Sequence, residues 1–164
     1  MKHILIANRG EIAIRIARAA AEAGFATTAI YAEDDAASLH VRRADHAVAL
    51  PGVGPAAYLA IEAVITAARE AGVDAIHPGY GFLSENAGFG RAVAEAGLTF
   101  IGPSAEALAT FGDKAAARDL AERVGVPVVL GTKGVTNFAE ARAFMDGLGP
   151  EAAVMVKAVS GGGG

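Results

Sequence analysis

The 164 residues contain no cysteine and no tryptophan, and aromatic residues make up only 6 %. The lack of cysteine excludes disulfide staples and thiolate metal sites, and nothing in the chain calls for an oxidising compartment. There is no block of lysine or arginine either. Fourteen basic residues stand against 18 acidic ones, for a net charge of -4, which argues against nucleic acid or an acidic membrane as the main partner. One positive pocket on an acidic protein could still take an anionic small molecule. Long apolar runs are missing as well. The opening MKHILIANRGE passes within a few residues into a charged helix, so it reads as neither a leader peptide nor a membrane span. The expectation is a soluble, cytoplasmic protein with no membrane or nucleic-acid partner.

What is present is a globular mixture, 53 % hydrophobic and 20 % charged. Short apolar runs at 3–7, 27–32, 46–50, 74–77 and 98–102 read as strands, and alanine-rich segments at about 10–24, 57–71, 85–96 and 104–110 carry helical period. Strands that are apolar throughout, alternating with helices, predict an α/β fold: a doubly wound parallel sheet covered on both faces. Gly24, Gly72 and Gly97 fall where helix-ending residues belong. From residue 112 the texture shifts to a helix with Asp113 as its N-cap, a second helix near 137–147 and a strand AAVMVKAVS. That block is too short for a comfortable core of its own and reads as the opening of another domain.

Some residues break local rules. Lys114 puts a cation in the first turn of a helix, against the partial positive charge there; a tolerated surface lysine is the plain alternative. Lys157 shares its strand face with Ala153, Met155 and Val159, and a lysine among apolar neighbours asks for an anion, unless it guards an exposed sheet edge. The glycines that follow it, Gly161 to Gly164, can bring backbone N–H groups together on phosphate oxygens, although a linker has the same composition. A P-loop is excluded by order, because its lysine follows the glycines. In the first strand-to-helix turn only Gly10 is present, so the three-glycine dinucleotide fingerprint is absent. The loop HPGYGFLSENAGFG at 77–90 is a site candidate by its place after a strand, with Ser84 as the expected cap of the next helix; a tight turn with Tyr80 and Phe82 as packing explains it equally well. The four histidines form no metal-ligand spacing. On the first helix Glu11, Arg15, Arg18 and Glu22 make one charged stripe, either a solvated face or a subunit contact.

IANRGEIAIRIARA at 6–19, HPGYGFLSENA at 77–87, FIGPSAEALATFGDKAAAR at 100–118 and VKAVSGGGG at 156–164 together resemble the N-terminal part of biotin carboxylase, the ATP-grasp component of biotin-dependent carboxylases. The resemblance runs in order along the whole chain. It implies a Rossmann-like pre-ATP-grasp domain over 1–111 and, over 112–164, the start of an ATP-grasp domain. The implied reaction uses ATP with magnesium to phosphorylate bicarbonate, then transfers carbon dioxide to N1 of a biotin carried on a partner domain. Carried over residue by residue, the resemblance assigns Lys114 and Lys157 to ATP. It makes Gly161, Gly162, Gly163 and Gly164 a lid over the phosphates and puts Tyr80 and Gly81 on the biotin side. Arg15, Arg18 and Glu22 match the family's dimer contact. The implied partners are a biotin carboxyl carrier domain or subunit and a carboxyltransferase component.

The family's magnesium, bicarbonate and catalytic residues belong to a segment beyond Gly164, so no metal ligand or catalytic residue is assigned, and these residues alone are expected neither to turn over ATP nor to carboxylate biotin. Two other readings remain. One is a non-catalytic nucleotide- or partner-binding module with a doubly wound fold. The other is a different ATP-grasp ligase, which should lack HPGYGFLSEN.

Overall fold

A computed structural model of the chain describes residues 2–132 and 134–157. It divides into two units, Met1–Leu108 and Ala109–Gly164.

The first unit is built on five parallel strands: β1 (His3–Ile6), β2 (Ala26–Ala32), β3 (His46–Leu50), β4 (Ala75–His77) and β5 (Thr99–Phe100), in the spatial order β3-β2-β1-β4-β5. Ile4 pairs with Thr27 on one side and Ala75 on the other, which places β1 at the centre. Helix α1 (Gly10–Glu22) packs on one face, where Ile6 of β1 meets Ala13, Ile16 and Ala17. The opposite face carries Leu5, Ile30 and Ile76 against Val64 and Ile65 of α3 (Ile61–Glu70) and Phe89 and Val93 of α4 (Ala87–Glu95). Alternate residues of β1 thus feed two separate cores, as a sheet buried on both faces requires. Phe89 meets Phe100 edge-on, with ring centroids 5.8 Å apart.

The expected elements appear with adjusted ends. Gly24, Gly72 and Gly97 all take positive φ just past α1, α3 and α4. The single helix expected over 57–71 is broken into α2 (Gly54–Ala57) and α3, with Ala60 extended between them. The interruption lets Tyr58 drop fully into the core, 1 % exposed. Asn86, and not Ser84, caps α4 by accepting from the Phe89 N–H at 3.0 Å; Ser84 is used up in a turn, its own N–H donating to the Gly81 carbonyl. β5 is cut to two residues ahead of Gly102 and Pro103.

Helix α5 (Ala105–Gly112) follows, then α6 (Lys114–Arg123), capped as expected by Asp113, which accepts from the N–H groups of Ala115 and Ala116. Helix α7 (Phe138–Gly147) begins with a capping box, Asn137 and Glu140 bonding each other's backbone N–H. The strand expected from 152 onward is not formed over 152–157. Among the described residues no neighbouring strand pairs with it, and an extended segment without a ladder partner leaves its N–H and C=O groups to water. Met155 and Val156 are accordingly exposed.

Candidate functional site

With β2 and β3 on one side of β1 and β4 and β5 on the other, the chain changes winding direction between β1 and β4. The loops leaving those two strands lie at the carboxyl edge of the sheet, at the position where open α/β sheets take ligands. They comprise residues 7–10 and 78–82.

Asn8, 1 % exposed, joins the two loops. Its Nδ2 donates to the carbonyls of Pro78 at 2.7 Å and Tyr80 at 2.9 Å, and its Oδ1 accepts the Arg9 N–H at 2.9 Å. The approach is so close that a Cβ on Gly79, which has φ +68°, would lie 2.7 Å from Asn8 Nδ2. Tyr80 projects outward, 66 % exposed, with its hydroxyl 3.5 Å from Glu11 Oε2 at the start of α1. Gly81 and Phe82 follow with φ +66° and +44°.

Beneath Arg9 lies a polar cluster. Its guanidinium meets Asp35 Oδ2 at 3.2 Å and sits 5.8 Å over the Tyr58 ring and 6.0 Å from that of Phe82. Asp35 also accepts from the Tyr58 hydroxyl at 2.8 Å and from Ser38 Oγ at 2.9 Å, while Tyr58 Oη accepts the Ala32 N–H. Burial pushes the Asp35 carboxyl up, but hydrogen bonds from Tyr58, Ser38 and Arg9 together with the Arg9 charge outweigh it and leave the group below its ordinary range. Tyr58 is held strongly protonated, mainly by burial. His40, 1 % exposed, directs Nε2 to the Ile30 carbonyl at 3.2 Å, and its buried Nδ1 has no hydrogen-bond partner among the described residues. Burial pushes His40 below its usual value of 6.5, as it does His77, whose Nδ1 accepts the Gly79 N–H at 3.0 Å.

These shifts set a pH dependence. For both histidines the folded pKa lies below the unfolded one, so their contribution to stability is complete above about pH 6.5 and is lost as pH falls from there toward the folded values. Asp35 adds a second loss only below about pH 4, as pH falls through its lowered pKa. The urea midpoint is expected to drop between about pH 7 and 5.5, with His40→Gln flattening part of that slope. A midpoint unchanged through this window would contradict the lowered pKa of buried His40 and half-buried His77.

The sequence-predicted site residues fall in both units. Tyr80 and Gly81 stand at the sheet's switch point in the first. In the second, Lys114 is the first residue of α6, beside its capping Asp113. Lys157 is exposed, next to exposed Met155 and Val156, so the burial argument for an anion partner does not hold at this position. Gly161 to Gly164 lie outside the described residues. On α1, Arg15 is exposed and Arg18 pairs with Glu22 at 3.0 Å in a fully solvated geometry. Among the described residues no group of three or more His, Asp or Glu is placed to hold a metal ion, and no helix is long and apolar enough to cross a membrane. A cleft of about 500 Å³ bounded by Arg91, Phe100, Ser104 and Glu106 shares no residue with the switch-point loops.

The sequence alone did not give Asn8, Arg9, Asp35 and Tyr58 their roles. ANRG stood out at the end of β1, but its partners come from segments 26 to 72 residues away.

The family model for the biotin carboxylase N-terminal domain matches residues 1–108. The chain belongs to this family. Biotin carboxylase 1 of Bacillus subtilis is 45 % identical over 166 aligned residues, covering 100 % of the chain and 36 % of that protein. The biotin carboxylase domain of a single-chain bacterial carboxylase superposes with a TM-score of 0.86 at 57 % identity, covering 90 % of this chain and 34 % of that one. The biotin carboxylase domain dimer of Hydrogenobacter thermophilus 2-oxoglutarate carboxylase, solved with MgADP, ADP and bicarbonate, gives a TM-score of 0.83 at 42 % identity, over 91 % of this chain and 33 % of that one. The chain spans 13 to 14 % of the length of the urea carboxylase and pyruvate carboxylase relatives. The family match covers the first unit, and the switch-point loops are part of it.

Proposed function

We propose that the chain supplies the N-terminal part of a biotin carboxylase, an ATP-dependent ligase of a biotin-dependent carboxylase. The observation that carries this is the likeness to Bacillus subtilis biotin carboxylase 1 along the entire chain, at 45 % identity. In the reaction, ATP with magnesium converts bicarbonate to carboxyphosphate, and carbon dioxide released from it is taken up by N1 of biotin on a carrier domain or subunit for delivery to a carboxyltransferase component. Residues 1–111 form the pre-ATP-grasp domain and 112–164 the opening of the ATP-grasp domain.

Lys114 and Lys157 are assigned to ATP, where two cations offset the charge of a triphosphate that shifts during phosphoryl transfer. Gly161 to Gly164 form a lid that keeps water from a hydrolysable intermediate. Tyr80 and Gly81 face the biotin side, a placement supported by their position at the sheet's switch point. Arg15, Arg18 and Glu22 offer a surface for a second copy. The protein works in the cytoplasm. Because the chain corresponds to about a third of its biotin carboxylase relative, the 164 residues alone release no ADP.

The test is calorimetric titration with ATP and magnesium of two polypeptides: this chain, and a chimera in which residues 1–164 replace the matching portion of the Bacillus subtilis enzyme. Binding by the chimera alone supports the reading. Tight binding by the isolated chain would favour a self-standing nucleotide-binding module instead.

A further inference from the structure

We propose that Asn8 and Arg9 act together as a clamp that sets the conformation of the Gly79–Phe82 turn, making them positioning residues for Tyr80. Asn8 holds the turn's entry and middle. Its amide donates both protons to carbonyls of the turn, those of Pro78 and Tyr80, and it does so from a side chain 1 % exposed. Arg9 holds the exit, its guanidinium 6.0 Å from the Phe82 ring centroid and fixed by Asp35 at 3.2 Å. Asp35 is itself held by Tyr58 and Ser38, and the Tyr58 ring lies 5.3 Å from that of Phe82. The clamp has something to hold. Phe82 carries φ +44°, in the left-handed region that a bulky residue rarely adopts, and Gly79 and Gly81, on the two sides of Tyr80, are also left-handed. A segment with that backbone persists only where its surroundings over-determine it, and here the determinants come from two residues of the loop between β1 and α1. Clamp and turn are bound across the sheet's switch point, so the turn's position follows the β1–β4 pairing directly. The last step, from turn to biotin, rests on the proposed function.

Asn8→Asp keeps the shape but replaces Nδ2, with its two N–H donors, by a carboxylate oxygen facing both carbonyls. Arg9→Lys keeps the charge opposite Asp35 and loses the flat face against Phe82. Amide hydrogen exchange on the intact chain reads the effect at Gly79 and Ser84, whose N–H groups donate to His77 Nδ1 and the Gly81 carbonyl. Exchange there is expected to quicken at least about tenfold in Asn8→Asp and about threefold in Arg9→Lys, with the amides of β2 unchanged. Should Asn8→Asp not fold, Arg9→Lys decides alone. Unchanged exchange at Gly79 and Ser84, or an equal increase in β2, overturns the clamp.

In the Bacillus subtilis chimera, the KM for free biotin is expected to rise at least about fivefold in Arg9→Lys while the KM for ATP stays within about twofold, a split that a general loss of stability would not produce. A loosened turn with unchanged biotin KM keeps the clamp and removes Tyr80 and Gly81 from the biotin side.

Discussion

Gly79→Ala is expected to lower the unfolding free energy of the chain by about 2–4 kcal/mol, read as a shift in the urea midpoint. Two costs combine. At φ +68° any L-residue with a Cβ is in the left-handed region, which costs about 1–2 kcal/mol. The new methyl would also stand 2.7 Å from Asn8 Nδ2, so the amide must retreat from the carbonyls of Pro78 and Tyr80, leaving buried hydrogen bonds broken at about 1–2 kcal/mol. Gly81→Ala separates the two. Gly81 has nearly the same backbone, φ +66°, but open space where its Cβ would go, so only the conformational cost of about 1–2 kcal/mol applies. Equal losses at the two positions would mean that the close approach of Asn8 has no energetic weight.

Lys114→Ala and Lys157→Ala, each made in the Bacillus subtilis chimera, are expected to weaken MgATP binding by about ten- to a hundredfold, the loss of one charge-assisted contact to phosphate of about 1.5–3 kcal/mol. Titration calorimetry measures both. Lys133→Ala, a third lysine of the same region, serves as the reference and is expected to shift affinity by less than about threefold, as a lysine acting only through screened long-range charge does. A variant that matches this reference removes its lysine from the nucleotide site. The effect at Lys157 carries particular weight, because the burial once expected to demand an anion at that position is not there: the side chain and its neighbours Met155 and Val156 are exposed.

Much of the first unit was legible in the sequence because a parallel sheet buried on both faces leaves a strong mark. HILIA and TTAIYA lack an apolar/polar alternation, as strands covered on two sides do, and β1 and β2 are buried along most of their length; HAVAL has a similar composition but forms the edge strand β3, where only Leu50 is buried. The helix-ending glycines were equally plain, since few residues other than glycine fit a left-handed cap. What the sequence hid was set by contacts distant along the chain. The break at Tyr58–Ala60 is invisible in an alanine-rich helical pattern, because it is forced by where the Tyr58 hydroxyl must reach, to Asp35 and the Ala32 N–H. Ser84 looked like a cap by residue type, yet two turns precede the helix and bring Asn86 to that position. The segment AAVMVK has strand composition and no strand geometry over its described residues, because β-propensity needs a neighbour to pair with. At the site, the turn containing Tyr80 and Gly81 was marked by its glycines and its place after a strand. The residues that hold it, Asn8 and Arg9, were visible as a motif but not as a clamp.

The most direct test of the account is ADP release by the chimera carrying residues 1–164 in a biotin carboxylase of the family, assayed with bicarbonate and with and without free biotin. The account predicts bicarbonate-dependent ADP release stimulated by biotin, with the stimulation reduced at least about tenfold by Tyr80→Ala while MgATP affinity is retained. A folded chimera that binds MgATP yet releases no ADP in response to bicarbonate and biotin would contradict it.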